Sequence, residues 1–267
     1  MTNKKPISGY VHSIESLGTM DGPGLRTVIF LQGCPLKCKF CHNIDCAFQT
    51  EKNKMSAEKL VQKVLQKKSY WKCYDNEKCV RGGVTISGGD PTFQPEFLLE
   101  LFKRLKAEKI HTAIDTCLMT STQTIDSIFP YVDLWMCSVK HTDDRQHKAL
   151  TGTSNKKILQ NLTYLDDKIS KSNSASQIRI RFLIIPGLTD SKENTQKTAE
   201  IAKELKNLEA VEVLAYGSHG KYKWVEIFGK YDLEGVSDAT EKDTEKARKV
   251  FQKMEIPLAN SFNKNNH

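Results

Sequence analysis

The sequence predicts an α/β fold built on a parallel sheet, and three observations carry that prediction. Short apolar segments, several rich in β-branched residues, alternate with amphipathic helical patterns. The residues best suited to chemistry fall within or just after the C-terminal ends of those segments, where parallel barrels collect their active sites. The chain has 267 residues, an ordinary size for one barrel-like domain.

The strand expectations are Thr27–Leu31, Val84–Ser87, Thr112–Asp115, Val132–Val139, Gln177–Ile185 and Val211–Leu214, most of them followed by polar punctuation. Between them, Ser56 reads as an N-cap ahead of Leu60, Val61, Val64 and Leu65. Phe97, Leu98, Leu101, Phe102 and Leu105 form a helical stripe, and Ile201, Leu205 and Leu208 form another. A last helix is expected near Thr244–Met254, and 171–176 reads as a loop before the fifth strand. Six β-α units in series imply parallel strands with right-handed crossovers, two short of a closed barrel. There is no Pro/Gly/Ser linker and no internal repeat, so residues 1–267 are expected to form a single domain, with a core of about 9–255 and a frayed tail after Asn260.

Composition narrows the function classes. Hydrophobic residues make up 39% and charged residues 27%, which excludes a disordered chain. The most apolar stretch, Phe182–Ile185, is only a strand's length, so no membrane span is expected. The opening MTNKKPISGY lacks the apolar core of a secretory signal, so the expected location is cytoplasmic. The net charge of +8 comes from lysines spread along helical segments beside glutamates, a pattern of solvated surface, and no nucleic-acid partner is expected.

Eight cysteines are present, and three crowd into Cys34-x3-Cys38-x2-Cys41. Three thiols within eight residues read as a metal site. A closed four-iron cluster uses four thiolates, so three would leave one iron open to another ligand. Structural zinc, with His42 or Cys46 as a fourth ligand, is the alternative, although no second C-x2-C knuckle exists. The other five cysteines fit free thiols in a reducing compartment.

The wider segment Asp21-Gly-Pro-Gly-Leu-Arg26-Thr-Val-Ile-Phe30-Leu-Gln-Gly33-Cys34-x3-Cys38-x-Phe40-Cys41-His42-Asn43 resembles the signature of radical S-adenosylmethionine (SAM) activases of glycyl-radical enzymes, in particular those of the pyruvate formate-lyase type. The resemblance continues from about residue 9 to 235, through Thr85-Ile-Ser-Gly-Gly-Asp90, Ile114-Asp-Thr116, Lys140, Leu150-Thr-Gly-Thr-Ser-Asn155, Ile180-Arg-Phe182, Pro186-Gly-Leu-Thr-Asp190 and Tyr222-Lys-Trp224. It implies a partial (β/α)6 TIM-like barrel, open on one side to admit a macromolecular substrate. It also implies one [4Fe-4S] cluster on Cys34, Cys38 and Cys41, with SAM chelating the open iron. One electron then breaks a C–S bond of SAM to leave methionine and a 5′-deoxyadenosyl radical, which takes a glycine Cα hydrogen from the protein substrate.

Residue by residue, the resemblance assigns SAM contacts to Phe40, His42, Gly88, Gly89, Asp90, Asp115, Ser138, Lys140, Gly217 and His219. Lys140 would face the SAM carboxylate, and the glycines would let the backbone approach its amino group. Asp21 and Arg181 would position the glycine-bearing loop of the protein substrate. A charge inside an apolar strand needs a partner or a cavity, so a structural salt bridge is the competing account of Arg181. Four positions depart from the family pattern. Asp90 stands where Glu is usual, Ser138 where Asp is usual, Gly217 in place of a histidine, and Leu118 in place of a turn glycine. Only about 42 residues separate Cys41 from Val84, with no inserted ferredoxin-like cysteine run, which suits the pyruvate formate-lyase type. The implied partners are pyruvate formate-lyase and a low-potential flavodoxin or ferredoxin, with the activase itself a monomer. The competing functions are a radical SAM enzyme with another substrate and a non-catalytic cluster-binding paralogue.

Overall fold

The computed structural model describes residues 6–71 and 82–259. Cys73, Cys79 and the tail after Asn260 lie outside them. The chain divides into two compact units, the first comprising Met1–Cys34, Cys46–Thr116 and Thr120–Trp135, the second Pro35–Asp45, Cys117–Met119 and Met136–His267.

In the first unit, β1 (Ser8–Gly18) pairs antiparallel with β2 (Arg26–Leu31) and with β3 (Lys54–Ser56). α1 (Ala57–Leu65) follows, and its N-cap is Ser56, whose side chain accepts the Lys59 N–H as the sequence led us to expect. β4 (Gly83–Gly88) lies parallel to β2, and β5 (Thr112–Thr116) lies parallel to β4. α2 (Pro95–Ala107) buries Phe97, Leu98, Leu101, Phe102 and Leu105, and packs on α1 and on α3 (Thr122–Ile128). β6 (Leu134–Ser138) contains the division between the units.

The second unit continues with α4 (Asp144–Thr151), α5 (Lys156–Ser170), β7 (Gln177–Ile184), α6 (Lys192–Glu204), β8 (Leu208–Ala215), α7 (Lys221–Phe228) and α8 (Glu241–Lys253). β7 and β8 are parallel, and α8 packs on both, with Phe251 edge-on to Phe182 at 5.9 Å between ring centres. The sheet order is β3-β1-β2-β4-β5-β6-β7-β8, mostly parallel and not closed. The six expected strands are thus present, and the open α/β architecture is borne out.

Three differences have physical causes. β1 escaped the sequence because SGYVHSIESLG lacks a clean apolar alternation; only Gly9, Val11 and Gly18 are buried, so backbone pairing holds it as much as side chains do. The stripe through Ile201, Leu205 and Leu208 does not exist as one helix face. α6 ends at Glu204, Leu205 turns extended, and Leu208 opens β8. What α6 buries is Asn194, Thr195, Thr198, Ala199 and Ala202, small or polar residues that hydrophobic periodicity does not register. The last helix starts earlier than Thr244, because Thr240 and Asp243 form a capping box.

Candidate functional site

The first unit supplies the turn after β4 and the segment after β2. Gly89 N–H donates to Leu31 O at 2.9 Å, Asp90 N–H to Gly33 O at 2.8 Å, and Gly33 N–H to Cys46 O at 2.8 Å. These bonds fasten Gly88-Gly89-Asp90 to the backbone immediately before Cys34. Gly88 has φ +129°, and a Cβ there would lie 2.1 Å from Leu31 O; a Cβ on Gly89 would lie 2.2 Å from Gly33 O. The chain's own backbone therefore demands glycine at both positions, apart from any ligand.

Asp90 is 1% exposed. Its Oδ1 accepts the Thr92 N–H at 2.9 Å and the Thr92 hydroxyl at 2.6 Å, and the Thr116 hydroxyl donates to Oδ2 at 2.9 Å. The shorter carboxylate caps the turn at Pro91–Phe93 and ties it to the end of β5. Beside it, half-buried Asp115 accepts the Ser87 hydroxyl at 3.3 Å.

Asp21 lies in the loop before β2, and Cys34 follows that strand. The Asp21 loop is held from inside the unit. Fully buried Arg26 donates from Nε to Thr85 Oγ1 at 2.6 Å and from Nη1 to Pro23 O at 3.1 Å. Thr85 Oγ1 in turn donates to Asp21 O at 2.5 Å. His111 Nδ1 faces both Nη atoms at 3.3 Å. Burial, and then the neighbouring Arg26 charge, hold the His111 imidazole down at about 4.

The second unit carries Cys38 and Cys41. Lys37 N–H donates to Thr151 O and Lys39 N–H to Leu150 O, both at 2.9 Å, so the last carbonyls of α4 grip the loop on either side of Cys38. Cys41 N–H closes a turn onto Cys38 O at 3.0 Å, and Trp224 Nε1 of α7 donates to Cys41 O at 2.8 Å. A Cβ on Gly220 would meet the His42 ring and backbone at 2.9 Å, so α7 begins hard against the motif. Lys223 pairs with Asp45 at 3.0 Å. The His42 and His219 rings lie 6.4 Å apart, and Gly217 sits under His219.

Half-buried Lys140 follows Ser138 at the end of β6, with its Nζ 5.9 Å from the centre of the buried Phe40 ring. Among the described residues it forms no salt bridge. Arg181 is paired, as its place in an apolar strand demanded: its Nε donates to Glu212 Oε2 at 2.9 Å. Leu118 adopts φ +57°, so the missing turn glycine leaves a leucine in the left-handed region. Its carbonyl accepts Asn161 Nδ2 at 2.7 Å. None of the six described cysteines is in a disulfide.

The loop that carries Cys38 and Cys41 is bonded through its backbone on both sides of Cys38, and thiolates are soft donors of the kind iron–sulfur clusters take. The Radical SAM superfamily model matches residues 28–199. A pyruvate formate-lyase-activating enzyme of Streptococcus mutans is 38% identical over 251 residues, covering 92% of this chain and 91% of the relative. The chain belongs to this radical SAM family. A second pyruvate formate-lyase-activating enzyme, from Clostridium pasteurianum, is 37% identical over 93% of this chain and 99% of its own length. Two solved structures share the fold. One is a domain of pyruvate-formate lyase-activating enzyme from Bacteroides vulgatus, with TM-score 0.55, 23% identity and coverage of 67% of this chain and 98% of that one. The other is Streptococcus suis SuiB bound to precursor peptide SuiA, with TM-score 0.64, 20% identity and coverage of 92% and 48%. The cofactors of the radical SAM family are a [4Fe-4S] cluster and SAM.

Sequence reasoning missed the support around these residues. Arg26, Glu212, Trp224 and the α4 carbonyls carry no motif of their own that assigns them a partner. The one available signal was an arginine and a glutamate inside otherwise apolar strands.

Proposed function

We propose that this protein installs a glycyl radical on pyruvate formate-lyase under anaerobic conditions, in the cytoplasm. The observation that supports this most strongly is the pinned Cys34–Cys41 loop in a chain 38% identical to a pyruvate formate-lyase-activating enzyme along nearly its whole length. When bound, the cluster and SAM supply one-electron cleavage of the sulfonium and an abstractor for a glycine Cα hydrogen.

In this reading the Cys34, Cys38 and Cys41 thiolates hold the cluster, and Lys140 offers its ammonium to the SAM carboxylate. The Gly88-Gly89 turn brings backbone to the SAM amino group, while Asp90 keeps that turn in shape. Asp115 and Ser138 line the same ligand at their strand ends. Phe40, His42, Gly217 and His219 enclose the adenosyl portion. Asp21 and Arg181 orient the glycine-bearing loop of the protein substrate. The family match runs through both compact units, which favours reading the chain as one radical SAM domain. A flavodoxin or ferredoxin supplies the electron, and the activase works as a monomer. No helix among the described residues is long and apolar enough to cross a membrane.

The test uses anaerobically reconstituted protein with dithionite, SAM and pyruvate formate-lyase. A glycyl-radical doublet in the EPR spectrum, formed with 5′-deoxyadenosine and lost in Cys38→Ala, is expected. Formation of 5′-deoxyadenosine without the doublet refutes the partner. Absence of both from fully loaded protein refutes the activity and favours a non-catalytic paralogue.

A further inference from the structure

β7 has two faces of opposite character. Ile178, Ile180, Phe182 and Ile184 are fully buried and alternate along the strand, and Phe182 meets Phe251 of α8. Arg179, Arg181 and Leu183 therefore occupy the other face. In β8 the partners in register are Val211 for Ile180, Glu212 for Arg181 and Val213 for Phe182, so Glu212 shares the Arg181 face. The side chains of Arg181 and Glu212 are 12% and 4% exposed, and they are joined by Nε to Oε2 at 2.9 Å. The neighbouring Arg179 is engaged differently, with Nε and Nη2 each donating at 2.7 Å to the two oxygens of Glu209. That fork-to-fork pair occupies both acceptor oxygens and locks Arg179 at the edge.

We propose that Glu212 is a positioning residue for Arg181: it holds the Nε edge of the guanidinium on the face of β7–β8 opposite the Phe182–Phe251 contact, setting the orientation in which Arg181 meets backbone carbonyls of the glycine-bearing peptide. The proposal rests on the role given to Arg181 above. Its physical basis is the strand register. A carboxylate directly opposite on a neighbouring strand, buried and unable to swing into water, fixes the side-chain angles of a long flexible arginine. A guanidinium held in this way meets a peptide carbonyl without first being ordered.

The experiment uses the full-length reconstituted protein and a synthetic peptide spanning the glycine loop of pyruvate formate-lyase. Peptide affinity is read by fluorescence anisotropy, and SAM cleavage without peptide by 5′-deoxyadenosine release. Glu212→Gln is expected to weaken peptide binding about tenfold, the scale of one hydrogen-bond coupling, and to leave peptide-free cleavage within about twofold. The Arg181→Lys/Glu212→Gln double variant is expected to bind no more weakly than Arg181→Lys alone, because the two residues act as one unit. Glu212→Asp keeps the charge but draws it back by one methylene; it is expected to fold like the parent and still bind peptide more weakly, and it gives the reading if Glu212→Gln does not fold. Unchanged affinity in Arg181→Lys overturns the underlying role of Arg181. Weakened binding in Arg181→Lys with parental binding in both Glu212→Gln and Glu212→Asp overturns the role of Glu212. Equal losses of peptide affinity and peptide-free cleavage reduce the pair to a structural salt bridge and overturn the proposal.

Discussion

Replacing Asp90 separates a carboxylate that serves the fold from one that serves the ligand. Its two oxygens accept a backbone N–H and two hydroxyls, all at 2.9 Å or less at their shortest. Asp90→Ala removes the cap of the turn, worth about 1 kcal/mol, and leaves two buried hydroxyls to find other acceptors at about 1–2 kcal/mol each. The expected loss is about 3–5 kcal/mol. At this chain length each kcal/mol moves the melting temperature by about 2–4 °C, so the drop should exceed about 6 °C. Asp90→Asn can keep both Thr92 bonds through its remaining oxygen and donate from its amide to the Thr116 hydroxyl, which can turn to accept. Only the charge assistance is lost, about 1 kcal/mol. Asp90→Glu restores the residue usual in the family but forces a methylene into a site 1% exposed, an overpacking cost of about 1–3 kcal/mol.

The assay is thermal unfolding of the anaerobically reconstituted protein by circular dichroism, paired with KM for SAM. The reasoning predicts Ala well below Asn, with Glu between or beside Asn, and a KM in the Asn variant within a few-fold of the parent. An Asp90→Ala protein that melts with the parent refutes the capping role. An Asn variant of parental stability whose KM for SAM rises more than about tenfold also refutes it, because that difference in binding energy, about 1.4 kcal/mol, would then be exerted by the charge on SAM.

Leu118→Gly relieves a left-handed backbone worth about 1 kcal/mol but removes a side chain that is 1% exposed, whose truncation costs about 2–5 kcal/mol; the variant should lose about 1–4 kcal/mol in urea denaturation, and a gain in stability would show that backbone strain dominates. Gly89→Ala drives a Cβ into Gly33 O and Cys46 O, which displaces the segment leading to Cys34, so iron bound per chain after reconstitution should fall; parental iron content would refute the tight packing. His111 titrates near 4 when folded and near 6.5 when unfolded, so the unfolded chain takes up the extra proton as the pH falls through that window. Stability should drop by about 2 kcal/mol between pH 6.5 and 4 after allowance for partial solvent screening, and a His111→Asn variant should show a shallower slope when urea midpoints are followed over that range. Identical slopes in the two proteins would refute it.

The six expected strands were legible because their apolar residues are consecutive in the chain and their punctuation is local. The same locality made the cysteine spacing and the Gly-Gly turn visible. β1 and the buried face of α6 were not, since one is held mainly by antiparallel backbone bonds and the other by threonine, asparagine and alanine at close quarters. The site divides along the same line. Cys34, Cys38 and Cys41 are read from eight residues, yet the groups that shape their loop come from far away: the Leu150 and Thr151 carbonyls more than a hundred residues later, and the Trp224 indole beyond those. Arg181 could be singled out as a charge in an apolar strand, but naming Glu212 as its partner required the β7–β8 register. A one-residue slip would put Val211 or Val213 opposite that arginine and leave a nearly buried cation with an aliphatic neighbour. That penalty makes the Arg181–Glu212 pair a constraint on strand pairing as well as on orientation. Reversing the pair, as Arg181→Glu with Glu212→Arg, therefore tests both at once: it should preserve the register and the fold while abolishing the placement of a guanidinium on β7.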